Sequence, residues 1–169
     1  HAAEPAPVET AERTRVRVVA TVRPHGEFFF PASARTRKRF PTRGQGSIHL
    51  DLSMRVRRGS NELRLFADQI ERDADGNRME LGFGGLELRR RFRAAGFLQP
   101  YAAVGAVLAT TELRVPSERL DVDPDLIGGS VLLGADLGCH GFVEARYLTV
   151  PRVYGYDLSG LNLRGGVRF

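Results

Sequence analysis

The stretch SIHLDLSMRVRR, residues 47–58, alternates between apolar and polar side chains almost without interruption. The apolar set is Ile48, Leu50, Leu52, Met54 and Val56. The polar set between them is His49, Asp51, Ser53, Arg55 and Arg57. Because successive side chains of a β-strand point to opposite faces, a period of two predicts a strand. This strand would have one apolar face and one charged face.

The same period recurs along most of the chain and predicts about eight strands. We place them at 15–29, 46–57, 62–71, 79–92, 98–113, 127–138, 142–152 and 158–169. The pattern contains no stretch that predicts a helix, and its change of phase at Gly84 and Gly85 predicts a bulge. Longer and shorter connections alternate, which is typical of an up-and-down barrel with short turns at one end and longer loops at the other.

Length and composition indicate one folded domain. The chain has 169 residues, of which 42% are hydrophobic and 27% charged. No apolar run approaches the roughly 20 residues of a membrane helix, and the mean hydropathy is −0.24.

The start of the chain reads as a mature N-terminus without a secretory leader. We predict a flexible tail over 1–12 and the barrel over 13–169. The single cysteine, Cys139, excludes an internal disulfide.

The net charge of +5 is carried almost wholly by arginine, since Lys38 is the only lysine. Arginine suits buried ion pairs and phosphate recognition. Alternation alone fits a soluble barrel, with its charges outward, and a membrane barrel, with its charges in the lumen. The charged faces carry both signs and the middle strands are rich in small residues, which favours charges inside. We therefore predict a lumen charge network of Asp51, Arg55, Arg57, Glu87, Arg89, Asp136, Glu144 and Arg146.

Aromatic residues cluster near the predicted strand ends, as in the two aromatic girdles of membrane barrels. The long-loop set is Phe28, Phe29, Phe30, Tyr154 and Tyr156. The short-turn set is Phe92, Phe97, Phe142 and Phe169. On the lipid-facing side we predict Leu50, Leu52, Leu133, Leu161, Leu163 and Val167.

The segment QPYAAVGAVLATTEL (99–113), followed by VEARYLT (143–149), resembles the second half of small eight-stranded outer-membrane barrels. These include the OmpA membrane domain, OmpX, OmpW and the opacity-type porins. The resemblance implies an all-β fold, an eight-stranded antiparallel up-and-down transmembrane β-barrel. It also implies a bacterial outer-membrane location with a periplasmic N-terminus, contact with outer-membrane lipid and lipopolysaccharide, and the barrel assembly machinery as a partner. The last stretch, LNLRGGVRF (161–169), resembles the terminal assembly signal of such barrels, with Val167 and Phe169 carrying it.

Catalysis is not expected. A lipid A deacylase barrel would need a His-x-Ser pair near the start of the penultimate strand, and the corresponding stretch 144–149 has neither residue. His49, Asp51 and Ser53 share a face, but same-face neighbours on one strand lie about 7 Å apart. The acidic stretches 73–77 and 121–125 look like fragments of calcium loops without the Glu at the twelfth position, so turn chemistry explains them. We expect neither a metal nor a cofactor.

The first long loop is strongly basic, through Arg35, Arg37, Lys38, Arg39 and Arg43. These residues are candidates for binding lipopolysaccharide phosphates or an acidic partner. Loops 31–45 and 114–126 are candidates for contact with a protein, and no nucleic acid is expected. The function predicted is therefore that of a non-enzymatic structural and binding barrel. The alternatives are an anchor subunit of an envelope assembly, a narrow pore or channel for small hydrophobic molecules, a lipid A-modifying enzyme and a soluble lipocalin-like barrel.

Overall fold

The chain forms a ring of eight antiparallel strands. The computed structural model describes the backbone of residues 15–41, 44–58 and 60–167, and the side chains of 25–41 and 60–167. Each strand pairs with its neighbours in the chain, β4 pairs with β5, and β1 pairs with β9, so the sheet closes on itself. This confirms the predicted fold class.

The strand bounds are close to those predicted, and most strands are longer at the long-loop end. They are β1 Arg15–Pro31, β2 Gly44–Arg58, β3 Asn61–Ala74, β4 Asn77–Arg91, β5 Leu98–Val115, β6 Leu120–Val122, β7 Asp125–Leu137, β8 Gly141–Thr149 and β9 Gly160–Val167. β6 has three residues and pairs with the end of β5. It therefore lies on the same side of β5 as β7 and continues the line of β7 towards the loops.

The loops differ from the prediction in two places. A short helix, α1 (Ala34–Arg39), lies in the first long loop, where no helix was predicted. Ser33 caps it by accepting a hydrogen bond from the Thr36 backbone N–H at 3.3 Å. The third connection is a turn of two residues, Asp75 and Gly76, both with positive φ. An Asp-Gly pair suits the tight hairpin turns that need this conformation.

The predicted bulge at Gly84 and Gly85 is wrong. The pairings of β4 with β3 and with β5 run through both glycines without a break. Odd-numbered β4 residues face the interior along the whole strand, from Met79 and Phe83 to Arg89. The strand geometry is therefore constant, and only the type of side chain on each face changes. The inward face changes from apolar to charged, and the outward face changes from polar to apolar.

The barrel therefore has two halves of opposite polarity. At the short-turn end, apolar side chains on β4 and its neighbours face outward, as Leu88 and Val104 do, and charged ones face inward. At the long-loop end the order is reversed. Leu81 and Leu113 face inward there, and Glu112 faces outward.

An apolar core fills the interior of the long-loop half. It includes Phe29, Ile70, Met79, Leu81, Phe83, Val107, Leu113, Val115 and Leu148. Phe40, Val153, Tyr156 and Leu158 close it from the loops.

Within the described part of the chain, no helix is long and apolar enough to cross a membrane.

An exposed apolar belt lies on the outer surface of the described ring, over the short-turn half on β3, β4 and β5 and reaching the long-loop end on β1. It includes Phe28, Phe30, Leu65, Leu86, Leu88, Val104, Leu108, Ile127, Val131, Leu133, Val143, Tyr147, Leu163 and Val167. On β7 the belt runs from Ile127 to Leu137, about eleven residues, which matches the 9–11 residues of a tilted transmembrane strand. Of the predicted lipid-facing residues, Leu133, Leu163 and Val167 are exposed and Leu161 is half-buried. The side chains of Leu50 and Leu52 lie outside the described residues.

The predicted aromatic sets are only partly exposed. Phe28, Phe30, Tyr154, Phe92 and Phe97 are exposed. The placement of Phe29, Phe142 and Tyr156 on the outside is wrong, because all three are buried. Phe29 and Phe142 lie on the inward-facing positions of their strands, and Tyr156 lies in the loop core. Phe169 is outside the described residues.

Candidate functional site: the charged lumen and the loop cap

Ion pairs among the described residues occupy the lower lumen, which is the interior of the short-turn half. Glu87 lies at its centre and is fully buried. It accepts hydrogen bonds from Arg89 Nη2 at 3.0 Å and from Arg146 Nη2 at 2.8 Å. The Nη1 atom of Arg64 lies 3.9 Å from Glu87 Oε1. One carboxylate is therefore shared by three buried guanidinium groups, which is the arrangement that a buried charge needs.

A second buried carboxylate, Glu144, extends the network across the barrel. It accepts hydrogen bonds from the Tyr101 hydroxyl at 2.7 Å and from Arg164 Nε at 2.7 Å. Arg164 also pairs with Asp68, and Arg89 Nη2 lies 3.5 Å from Glu144. The network therefore connects β3, β4, β5, β8 and β9, which pack around one closed interior.

Two aromatic rings and one glycine complete this packing. The Arg89 guanidinium lies 4.2 Å from the centre of the Tyr101 ring, and that of Arg146 lies 4.2 Å from the centre of the Phe66 ring. Such cation–π contacts stabilise a desolvated guanidinium. A Cβ at Gly134 would lie 2.6 Å from the Tyr101 ring, so only glycine lets this ring lie against β7.

The interior charges balance among the described residues. The arginines are Arg64, Arg72, Arg89, Arg91, Arg146 and Arg164. The carboxylates are Glu27, Glu62, Asp68, Glu87, Asp136 and Glu144. Among these described side chains, the two signs therefore compensate each other.

The structure brings together Glu87, Arg89, Glu144 and Arg146 of the predicted network. Asp136 lies at its short-turn edge, where Arg91 Nη1 binds it at 2.7 Å. The side chains of Asp51, Arg55 and Arg57 lie outside the described residues. The backbone register pairs Arg57 with Glu62 and Arg55 with Arg64.

Sequence reasoning missed the contribution of β3. Glu62, Arg64, Asp68 and Arg72 occupy alternate positions of NELRLFADQIERDA (61–74) and are all buried. Phe66 and Ile70 share that face, so the polar alternation is interrupted by apolar residues. Considering only the polar residues at even-numbered positions of this segment would have identified all four.

The loop cap, formed by α1, the 3₁₀ turn Pro116–Glu118 and the β8–β9 loop 150–159, covers the other end. Its centre is Glu118, which accepts hydrogen bonds from Arg35 at 2.6 Å, from Arg39 at 3.2 Å and from the Tyr156 hydroxyl at 2.7 Å. Thr36 is buried beneath and donates to the carbonyl of Asp157 at 2.9 Å. Three loops that are distant in sequence are thereby joined.

The electrostatics of the loop cap follow from these contacts. The hydrogen bond from Tyr156 and the neighbouring Arg35 hold the pKa of Glu118 below its usual value. Burial and the bond to Glu118 raise the pKa of Tyr156. Arg35 lies 4.5 Å from the centre of the Tyr156 ring, and its hydrogen bond to Glu118 raises its own pKa. The cap is thus held by a carboxylate that stays charged at neutral pH.

The residues predicted to bind anions have different surroundings. Arg35 and Arg39 pair with Glu118, although half and more than a third of their respective side chains stay exposed. Arg37 donates to the carbonyls of Pro31 and Ala32. Lys38 is exposed, and Arg43 lies outside the described residues. The two loops predicted as separate contact regions, 31–45 and 114–126, meet at Glu118.

The predicted assembly-signal residues are described only in part. Val167 is exposed at the end of β9, and Phe169 is outside the described residues. Within the described residues, no group of three or more His, Cys, Asp and Glu side chains is arranged to hold a metal ion.

A closed ring of eight strands with an outer apolar belt and a charged interior defines the fold of the small outer-membrane β-barrels. The comparison with solved structures agrees. The chain is similar to neisserial surface protein A, with a TM-score of 0.62 and 16% identity over 88% of this chain and 95% of that one. It is also similar to the N-terminal β-barrel domain of Pseudomonas aeruginosa OprF, with a TM-score of 0.52 and 14% identity over 89% and 96% of the two chains.

No family model matches the chain, and no curated protein matches it. The likeness therefore shows the fold, and the predicted resemblance to small eight-stranded outer-membrane barrels is confirmed at that level.

Proposed function

We propose that this chain is a non-enzymatic outer-membrane protein that anchors a rigid, positively charged loop cap at the cell surface. The observation that carries the proposal is the reversal of polarity along the barrel wall. An outer surface that is apolar over about eleven residues of β7 suits the hydrocarbon core of a bilayer. The polar outer surface beyond it suits water.

The orientation proposed places the loop cap outside and the short turns in the periplasm. Long external loops and short periplasmic turns are the rule for such barrels. β1 starts at the short-turn end, where Arg15 pairs with Arg57 beside the β2–β3 turn. The N-terminal residues would then be periplasmic. Insertion would proceed through the barrel assembly machinery, with Val167 and Phe169 as its terminal signal.

A structural role is supported by the filled interior. Eight strands enclose a space that side chains can just fill. Among the described residues, ion pairs occupy the lower lumen and an apolar core occupies the upper half. His140, the histidine nearest in sequence to the penultimate strand, lies in the turn between β7 and β8, at the end opposite the loop cap.

We propose that the loop cap binds anionic groups such as lipopolysaccharide phosphates. α1 carries four cations within six residues, and Glu118 is the carboxylate bound to two of them. Arginine and lysine donors at an exposed end form charge-assisted hydrogen bonds with phosphate oxygens.

The first experiment compares the SDS gel mobility of heated and unheated protein after refolding into detergent, together with circular dichroism. A heat-dependent shift with a β-type spectrum is expected. Folding in plain buffer, monodisperse and without a shift, would contradict the membrane assignment.

The second experiment measures binding of inorganic polyphosphate to the barrel in neutral nanodiscs. The double variant Arg37→Gln, Lys38→Gln should bind more weakly and with a smaller salt dependence. Arg90→Gln, an exposed arginine near the short-turn end of β4, is the control and should bind as the wild type does. Equal binding by all three proteins would contradict an anion site on α1.

A further inference from the structure

The outer surface of the β4–β5–β7 wall carries a two-part depression at the boundary between its apolar and polar halves. The lower part is an apolar groove of about 700 Å³, lined among others by Ala67, Gly84, Leu108 and Ile127. The upper part is a smaller depression of about 280 Å³, lined by Glu80, Glu112, Asp123 and Asp125 together with Thr110 and Gly82. The two parts share Gly82, Thr110 and Asp125, so they form one continuous surface.

The lower groove continues the apolar belt. Leu108 and Ile127 are partners across the β5–β7 ladder and line one side of the groove; they are 66% and 75% exposed, among the highest values in the belt. Ala67 and Gly84 face each other across the β3–β4 ladder, and their small size leaves space above the sheet at the floor of the groove. A groove with this apolar lining, open on the outer surface of a membrane barrel, suits an acyl chain.

The upper depression has the opposite chemistry. It contains four carboxylates and no basic side chain in its lining. Arg78, on the adjoining surface, lies 2.8 Å from Glu80 and 3.6 Å from Glu112 and compensates these two in part. Asp123 and Asp125 lie on the far side, at the start of β7, and both are exposed. The depression therefore has a net negative charge, which attracts a cation.

We propose that this depression is an interfacial lipid site, specific for a lipid whose headgroup carries a primary ammonium group. The acyl chain lies over Ala67 and Gly84, against the side chains of Leu108 and Ile127. The ammonium group lies above it, donates hydrogen bonds to Asp125 and Glu112, and is the cation that the acidic part selects. The proposal rests on the membrane location proposed above.

The test uses native mass spectrometry of the barrel released from nanodiscs that contain phosphatidylethanolamine, phosphatidylcholine and phosphatidylglycerol with identical acyl chains. We expect the wild type to retain phosphatidylethanolamine about tenfold more than either other lipid, a difference of about 1.4 kcal/mol. Phosphatidylcholine has the same charge but no N–H donor, so it separates hydrogen bonding from charge alone.

Two pairs of variants separate the groove from the acidic part. Ala67→Leu fills the groove and should abolish retention, whereas Ala106→Leu, also on an exposed outward position of the belt but outside the groove, should not. The double variant Asp123→Asn, Asp125→Asn should retain all three lipids equally. Its control, Asp73→Asn with Asp75→Asn on the β3–β4 hairpin, should keep the preference.

Equal retention of phosphatidylethanolamine and phosphatidylcholine by the wild type would overturn the proposal. So would preferential retention of phosphatidylglycerol in magnesium, since that would mean a phosphate bridged by a divalent cation. The heat-dependent gel shift is measured on every variant. A protein that shifts but shows no lipid preference contradicts this site alone, whereas loss of the shift in the wild type contradicts the membrane location itself.

Discussion

At the residue scale, the stability of the lower lumen depends on carboxylates that are shared by several arginines. Glu87 is the clearest case, because it contacts Arg64, Arg89 and Arg146 and is fully buried. Removing one member of a buried ion pair leaves an uncompensated charge, and the cost is about 3–5 kcal/mol. We expect Glu87→Gln to destabilise the barrel by an amount of this order, measured by urea unfolding in detergent with the gel shift as the readout.

The control for Glu87 is another glutamate on the same strand. Glu80 faces outward, is 30% exposed at its side chain and pairs with Arg78 at 2.8 Å. An exposed pair contributes about 0–1 kcal/mol, so Glu80→Gln should have a small effect. Equal destabilisation by the two variants would mean that the interior network does not hold the barrel together.

At the element scale, the reversal of polarity along β5 can be tested with two outward positions on one strand. Val104 lies in the apolar belt and is 56% exposed. Glu112 lies beyond it, with its side chain 46% exposed. An arginine facing lipid at the middle of the bilayer costs roughly 2–4 kcal/mol and close to nothing near its edge. Val104→Arg should therefore reduce folding into bilayers strongly, and Glu112→Arg should do so only slightly. Similar costs at both positions would place the membrane boundary elsewhere.

The loop cap should depend on pH through Glu118. Its pKa in the folded protein lies below the value of 4.5 for the free side chain. A carboxylate with a lowered pKa contributes stability that is fully present above pH 4.5 and is lost as the pH falls through the folded value. Hydrogen exchange of residues 34–40, corrected for its intrinsic pH dependence, should therefore accelerate below pH 4.5 in the wild type.

Variants of the two partners check this assignment. Glu118→Gln should exchange faster than the wild type at pH 6 and should lose the acid transition. Tyr156→Phe removes the hydrogen bond that lowers the pKa most, so its transition should move up towards pH 4.5. An unchanged transition in both variants would assign the acid sensitivity to another group.

The strands could be predicted from the sequence because alternation is a local property of neighbouring residues. β4 shows the limit of this reasoning. Its apolar residues change from odd to even positions at Gly84, and a pattern that assumes one core and one solvent predicts a bulge there. The outer face of the strand instead changes from polar to apolar at this point, while its inner face changes from apolar to charged. α1 was missed for a related reason, because Thr36, Phe40 and Glu118 are held by contacts between distant loops.

At the scale of the whole molecule, the described interior has two layers, which we expect to block the passage of ions in different ways. The ion-pair network fills the short-turn half, and Leu81, Leu113 and the other apolar side chains fill the long-loop half. An ion would have to displace the first layer and then lose its hydration shell in the second, which costs several kcal/mol or more. We therefore expect the wild type to show no conductance steps in planar bilayers.

The two layers also predict the behaviour of a variant. The double variant Glu87→Ala, Arg89→Ala removes an ion pair in which Arg89 Nη2 lies 3.0 Å from Glu87 Oε1, and it opens space only in the lower lumen. Because the apolar core above is unchanged, this variant should stay non-conducting even where it is less stable. Conductance by the wild type would contradict a sealed barrel. Conductance by the double variant alone would show that the ion pairs are the only barrier and that the upper core admits water.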